Sequence, residues 1–83
     1  MAPLHERVRD HLLKFLDPHG RLQLDENTAI LDSGLIDSMK VLEINASLLR
    51  VFQADIPPSE LRPENYHSVR AMVALCLRCC PGR

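Results

Sequence analysis

Residues 35–52 decide the fold of the chain, and they read LIDSMKVLEINASLLRVF. When successive residues are placed about 100° apart, the polar and apolar side chains separate onto opposite sides. The polar arc holds Lys40, Glu43, Ser47 and Arg50, and the apolar side holds Val41, Leu42, Leu48, Leu49 and Phe52. This periodicity predicts a helix over 38–52. Its apolar sector is broad, with Met39, Ile44 and Val51 near the margins, so we expect it to contact several neighbours or a partner.

Two further amphipathic segments flank this helix. Apolar residues at three- and four-residue spacing predict a helix over 3–16, which the sequence Asp17-Pro18-His19-Gly20 ends. A second stripe after a good N-cap residue, Ser68, predicts a helix over 68–80 that ends near Pro81-Gly82. Between Pro58 and Pro63, residues 59–62 have room for one short helical turn. With almost no alternating β-pattern, the expected fold is an all-α helical bundle.

A long connection separates the first two predicted helices. About twenty residues, Pro18 to Asp37, lie where helix connections usually need roughly 2–8. Six apolar side chains are spread along this loop and can pin it to the bundle: Leu22, Leu24, Ile30, Leu31, Leu35 and Ile36. We therefore expect an ordered loop that crosses the bundle from end to end and delivers Asp37 and Ser38 to a helix start.

Composition limits the classes of function. Eighty-three residues, 46% of them hydrophobic and 25% charged, predict a single folded domain over 1–83 and exclude a multidomain enzyme. A net charge of −1, no Trp and three other aromatic residues give little support for nucleic-acid binding. No run of 18 apolar residues is present, so we expect no membrane span. Three cysteines crowded into five residues suit reduced thiols, and we expect a cytoplasmic location.

Ser38 is the residue at which chemistry is expected. It stands where the loop ends and the helix begins, and free backbone N–H groups and the helix dipole favour a phosphate at such a place. Asp37 beside it could orient a metal ion or a modifying enzyme's cation during derivatisation. Ser38 could instead be only the N-cap, and the two roles are compatible. The similar Asp32-Ser33 pair precedes Gly34 and is more simply a turn.

The stretch Ile30-Leu31-Asp32-Ser33-Gly34-Leu35-Ile36-Asp37-Ser38-Met39 resembles the modification site of the acyl carrier and peptidyl carrier protein family. Glu43, five residues after the serine, adds to the resemblance. The downstream elements Phe52, Asp55-Ile56-Pro57, Pro63-Glu64-Asn65-Tyr66 and His67-Ser68-Val69 continue it in family order. The resemblance therefore covers essentially the whole chain.

The resemblance implies a four-helix bundle of acyl-carrier type with a short third helix. It also implies a 4′-phosphopantetheine arm on Ser38, donated from coenzyme A by a separate phosphopantetheinyl transferase that uses Mg²⁺. Asp37 would assist this modification, and the partner enzymes would meet the second helix at Met39, Lys40, Glu43 and Ile44. The partners would be an acyl- or aminoacyl-activating ligase and downstream transferases or synthases.

A non-catalytic carrier needs no catalytic residue of its own. An acyl or aminoacyl group would be held as a thioester on the arm, and tethering would raise its local concentration at each partner's active site. The second helix departs from strongly acidic fatty-acid carriers, because Lys40 and Arg50 stand on its polar arc and Glu43 is its only acid. This departure favours a stand-alone, specialised carrier whose partners use apolar contact more than charge. We also expect a monomer.

Three other interpretations of the sequence compete with the carrier. An unmodified helical adaptor would bind a partner through the face of residues 39–52. A small zinc module would use the cysteines, but the second ligand pair that structural zinc needs is missing, so Cys76 and Cys80 are more simply small hydrophobic side chains of the core. His5, His11 and His19 have no convergent acid or nucleophile, so we expect surface histidines rather than a catalytic base.

Overall fold

The computed structural model describes residues 3–81, and within this range the chain forms helices and no strand. The three α-helices are α1 (Leu4–Leu16), α2 (Ser38–Phe52) and α3 (Val69–Cys79). Two 3₁₀ helices, Pro58–Glu60 and Pro63–Tyr66, lie between α2 and α3. The all-α prediction is confirmed. In the described range no helix has the length and apolar character needed to cross a membrane.

The three α-helices lie within one residue of their predicted bounds. α1 begins after Pro3, and the N–H of Asp17 closes its last turn on the carbonyl of Leu13. Ser68 is the N-cap of α3 as predicted, since its hydroxyl accepts a hydrogen bond of 3.2 Å from the N–H of Ala71. α3 ends at Cys79; Gly82, placed near its end by the sequence, lies outside the described residues.

The short helical turn predicted over 59–62 is present only in part, as the 3₁₀ helix Pro58–Glu60, which begins one residue earlier and ends at Glu60. A second 3₁₀ helix, Pro63–Tyr66, was not predicted, and each of the two begins with a proline, Pro58 or Pro63. A proline disfavours helical backbone in the residue before it, and Arg62 is accordingly extended, with φ −122° and ψ 141°. The segment is therefore split at Arg62. The described chain has three α-helices, and a fourth α-helix is not present in it.

The long loop is packed onto the core, as predicted. Ile30 and Ile36 are buried, and Leu24, Leu31 and Leu35 pack against the core from outside; Leu22, however, is half exposed and does not pin the loop. Backbone hydrogen bonds of 2.9 Å join Ile30 N to His67 O and Arg70 N to Glu26 O. The loop is thus fastened to the start of α3, which fixes where α2 can begin.

The buried face of α2 differs from the predicted one. Its buried residues are Ile44, Ser47, Leu48 and Phe52, whereas Leu42 and Leu49, predicted to face inward, are exposed. The centre of the buried face is rotated by roughly a quarter turn about the helix axis from the centre of the apolar sector of α2. The rest of the domain covers only part of that broad sector. Ser47 can be buried because its hydroxyl has a hydrogen-bond partner.

The partner of Ser47 is His11, which was expected at the surface. The Nε2 atom of His11 lies 2.5 Å from the Oγ atom of Ser47, and the imidazole ring stacks edge-on against Phe52, with 5.4 Å between ring centroids. Partial burial, and secondarily the charge of Arg50, lower the pKa of His11 below 6.5. His11 is therefore a structural link between α1 and α2.

This link should make stability depend on pH. Because the pKa of His11 is lower in the folded than in the unfolded chain, its stabilising effect is complete above about pH 6.5 and falls as acidification approaches the folded pKa. Urea unfolding at several pH values should show a smaller acid-induced loss in His11→Gln than in wild type. The control His19→Gln, at an exposed position, should keep the wild-type dependence. Equal pH profiles for wild type and His11→Gln would contradict this account.

The start of α2 depends on a side-chain cap. The Oδ1 atom of Asp37 accepts a hydrogen bond of 2.8 Å from the N–H of Lys40. Asp37→Ala removes the acceptor and should lower the free energy of unfolding by about 1 kcal/mol, whereas Asp37→Asn keeps an oxygen there and should lose less. Urea unfolding followed by circular dichroism measures both. Asp32→Ala, at an exposed loop position, serves as the control; an equal loss for Asp32→Ala would show that the cap is not the cause.

Candidate functional site

Ser38 is the first residue of α2 and its side chain is exposed. The sequence left open whether Ser38 is the N-cap, and the structure gives that role to Asp37. Within residues 3–81 the hydroxyl of Ser38 makes no hydrogen bond. It is an accessible alcohol that the fold does not use.

Ser38 lies at the N-terminus of α2, where the first backbone N–H groups of a helix have no intrahelical partner. The first intrahelical bond of α2 joins Val41 N to Asp37 O, and the side chain of Asp37 takes the N–H of Lys40. The N–H groups of Ser38 and Met39 precede the intrahelical ladder, and the positive end of the helix dipole lies at the same place. A phosphate ester on Ser38 would meet a favourable field.

An open groove of about 470 Å³ begins at Ser38. Its walls come from the end of the long loop, the first turns of α2, the connection between the two 3₁₀ helices and the second of these helices. The lining residues are Leu31, Ile36, Asp37, Ser38, Val41, Leu42, Leu61, Arg62, Pro63 and Tyr66. Most of the lining surface is apolar, and Asp37 and Arg62 are its charged members. A flexible substituent on Ser38 would find an apolar surface beside its attachment point.

The far wall of the groove is tied to the helices by polar contacts. The buried Tyr66 donates its hydroxyl hydrogen to Asn45 Oδ1 at 2.9 Å, which joins the second 3₁₀ helix to α2. Arg78 of α3 reaches Glu60 Oε1 at 3.3 Å, and the amide of Asn65 donates to the carbonyl of Glu60 at 2.7 Å. These contacts hold the 3₁₀ segment against both α2 and α3.

Sequence reasoning did not include this wall in the site. Leu61 is 45% exposed at the groove, and it belongs to the segment for which the sequence predicted only a short helical turn. The available signal was an apolar residue without periodic partners between Pro58 and Pro63. Periodicity cannot show which face of α2 such a segment approaches.

The four residues of the predicted partner surface have different positions. Met39 is 70% exposed and Glu43 is also exposed. Lys40 is half-buried, with Nζ 3.4 Å from Glu43 and 5.5 Å from the ring centroid of Phe15. Ile44 has no exposed surface, so its assignment to a partner contact is wrong: it is part of the core.

The other serine considered for the site, Ser33, is already engaged. Its hydroxyl donates to the carbonyl of Ile30 at 2.6 Å and accepts from Leu35 N at 3.4 Å. The segment is a turn, with Gly34 at a positive φ of 82°. Ser33 thus has a local structural role, in contrast to Ser38.

The cysteines and histidines do not assemble a metal site. Across residues 3–81 no three side chains of His, Cys, Asp or Glu are placed to hold a metal ion together. Cys76 is completely buried, Cys79 and Cys80 are partly buried, and His67 is exposed.

Comparison with known proteins identifies the family. The model of the PP-binding family, described as "Phosphopantetheine attachment site", matches residues 6–76. The chain is also similar to a D-alanyl carrier protein of Lactobacillus acidophilus, with 40% identity over 52 residues. That match covers 63% of this chain and 63% of the relative, so it spans less than two thirds of either protein. No solved structure shows a significant match to the chain.

The matched range runs from the first turn of α1 to the buried Cys76 of α3 and contains the whole groove. Proteins of this family are non-catalytic carriers with a 4′-phosphopantetheine group on a serine. An exposed, unbonded serine hydroxyl at a helix N-terminus, with an apolar groove beside it, fits such a group. The chain therefore belongs to the phosphopantetheine-attachment family of carrier proteins.

Proposed function

We propose that Ser38 carries the 4′-phosphopantetheine arm and that the chain delivers an acyl or aminoacyl group to partner enzymes. The observation that carries this proposal is the free, exposed hydroxyl of Ser38 at the start of α2. Ser33, the similar serine in the preceding loop, has its hydroxyl bonded within a turn. The residues of the chain 1–83 act as one carrier domain and as a monomer.

Each residue near the attachment point has a definite task. Ser38 supplies the oxygen that receives the arm, and the N–H groups of the first turn of α2 face its phosphate. Asp37 caps the helix with one carboxylate oxygen, and its exposed position lets the other bind the cation used by a phosphopantetheinyl transferase. When bound, the arm supplies a terminal thiol that holds cargo as a thioester.

The segment of two 3₁₀ helices takes the place of the short third helix of the family's four-helix bundle. It lies between α2 and α3 in the chain, and its residues Leu61, Arg62, Pro63 and Tyr66 line the groove. The groove gives the arm and its cargo an apolar surface on which to rest. Arg62, at the rim, is paired with Glu64 at 3.0 Å, so its charge is already partly compensated.

The likeness to a D-alanyl carrier protein favours an aminoacyl group among the possible cargoes. The partner that loads the arm would then be an aminoacyl-activating ligase, followed by a transferase that removes the group. The location of the carrier and these partners is the cytoplasm, where coenzyme A and reduced thiols are available.

An exposed apolar stripe on α2 is the proposed recognition surface. It consists of Met39, Leu42, Ala46 and Leu49, which follow one another at helical spacing and are all exposed. Glu43 and Arg50 border this stripe with opposite charges. Partners therefore recognise the carrier mainly through apolar contact, and Ile44 supports the surface from the core.

Attachment of the arm can be tested by intact mass. After incubation with coenzyme A, Mg²⁺ and a broad-specificity phosphopantetheinyl transferase, the mass should rise by one phosphopantetheine group because the hydroxyl of Ser38 is accessible. Ser38→Ala should abolish the gain completely, and the matched control Ser33→Ala should keep it. An unchanged mass of wild type, or a gain that persists in Ser38→Ala, would refute the proposal.

The recognition surface can be tested with the same transferase. Leu42→Asp places a charge in the middle of the apolar stripe and should lower kcat/KM for modification about tenfold or more, because a central apolar contact is lost. The matched control Leu22→Asp changes a similarly exposed leucine far from α2 in the chain and should have little effect. Circular dichroism verifies that both variants are folded. Equal rates for the two variants would remove the stripe from the interface.

The exposed stripe would also serve an unmodified helical adaptor, which is the second candidate function. Such an adaptor uses the face of residues 39–52 without any group on Ser38. It would keep full biological activity in Ser38→Ala and lose it in Leu42→Asp. The carrier loses activity in Ser38→Ala because it has no attachment point.

A further inference from the structure

The C-terminal end of α3 carries a close pair of thiols that the carrier function does not use. The Sγ atoms of Cys76 and Cys80 are 3.8 Å apart. The thiol of Cys80 also donates to the carbonyl oxygen of Phe52 at 3.5 Å, at the last residue of α2. Because Cys80 has a single S–H, which it donates to Phe52, the donor in the contact between the two sulfurs is the S–H of Cys76. All three cysteines are free thiols.

The backbone is suited to a bond between these two sulfurs. Residues four apart along a helix have Cα atoms about 6 Å apart, inside the range of about 4.4–6.8 Å seen for disulfides. Cys80 follows the last residue of α3 and has an extended backbone, with φ −79° and ψ 129°. Its side chain can therefore turn toward Cys76 without breaking the helix.

Cys79 lies in a different direction. It is about 100° from Cys80 around the helix axis and lies toward Glu60 of the first 3₁₀ helix. Partial burial and then the charge of Glu60 raise the pKa of its thiol. The sulfur contact at 3.8 Å joins Cys76 to Cys80, so Cys79 is the matched control within the same cluster.

We propose that Cys76 and Cys80 form an oxidisable dithiol, which a small-molecule disulfide converts into an intramolecular disulfide. This site is independent of the proposed carrier function. The thiolate of Cys80 attacks one sulfur of the small disulfide and releases one thiolate. The thiolate of Cys76 then attacks the Cys80 sulfur of the mixed disulfide and releases the second. The protein loses two protons and two electrons, and the reagent is reduced to two thiols.

The exposure of the two thiols sets this order of attack. Cys80 is partly exposed and meets the reagent, whereas Cys76 has no exposed surface. Burial, followed by the neighbouring Cys80, raises the pKa of Cys76 to about 12, so few Cys76 thiolates are present near neutral pH. Cys76 therefore acts second, against a sulfur that is already in contact with it.

Oxidation would change the contact between α2 and α3 but not the attachment site. The Cys80 S–H that binds the carbonyl of Phe52 is consumed, and a covalent link at the end of α3 replaces it. Ser38 lies at the opposite end of α2, about 21 Å away along the helix axis. The oxidised protein should accept the arm at the same rate as the reduced protein.

The experiment treats the full chain with oxidised glutathione without oxygen. Intact mass should fall by about 2 Da, one of the three thiols should remain titratable, and dithiothreitol should reverse both changes. Trypsin cuts after Arg78, so the disulfide should hold the peptides that contain Cys76 and Cys80 together in a digest of wild type. Cys79→Ser should still lose about 2 Da, and Cys80→Ser should not.

Three results would overturn the proposal: a wild type that remains reduced, a reaction that stops at a glutathione adduct, or loss of ring closure in Cys79→Ser. Cys79 and Cys80 lie in the same tryptic peptide, 79–83, so fragmentation of the linked peptides from wild type, which separates these two residues, gives this answer even if a cysteine variant fails to fold. A failure here leaves the Ser38 mass test unaffected, because that test is performed with reduced protein.

Discussion

The position of Ser38 depends on how the loop before α2 is held. This loop is long for a domain of this size, and ordering it has a large entropic cost. The backbone hydrogen bonds from Ile30 to His67 and from Arg70 to Glu26, together with complete burial of the Ile30 side chain, offset that cost at the start of α3. These contacts hold the end of the loop, and therefore the first turn of α2 with Ser38, beside the groove.

The helices with a strong apolar repeat could be predicted from the sequence. The features that depend on contacts between residues distant in the chain could not. The three α-helices were located within one residue because their apolar repeats and end signals are local. The turn over 59–62 is shorter than predicted because Pro63 disfavours helical backbone at Arg62, and a second 3₁₀ helix then begins at Pro63. The orientation of α2 could not be predicted from its broad apolar sector. It depends on contacts with residues distant in the chain, among them the contact of Ser47 with His11, 36 positions away.

The candidate site was predictable in part for the same reason. The location of Ser38 at a helix start follows from local sequence, although Asp37 rather than Ser38 is the cap. Ile44 was wrongly placed on the partner surface because it lies near the margin of the apolar sector, and the turn of the helix puts it in the core. The groove could not be predicted at all, since it exists only when Leu61 and Tyr66 are brought against α2.

Pro63 lines the groove, and Pro57 and Pro58 precede this wall in the same segment, so the backbone on this side of the groove is restricted. Each proline fixes its own φ, and Pro58 and Pro63 also begin the two 3₁₀ helices. Because prolines already restrict the backbone torsions of this wall, it loses little conformational entropy when a substituent binds to it. An arm on Ser38, as proposed above, would therefore leave and re-enter the groove without any rebuilding of this surface. Such a wall suits repeated, rapid exchange of a tethered group between the groove and solvent.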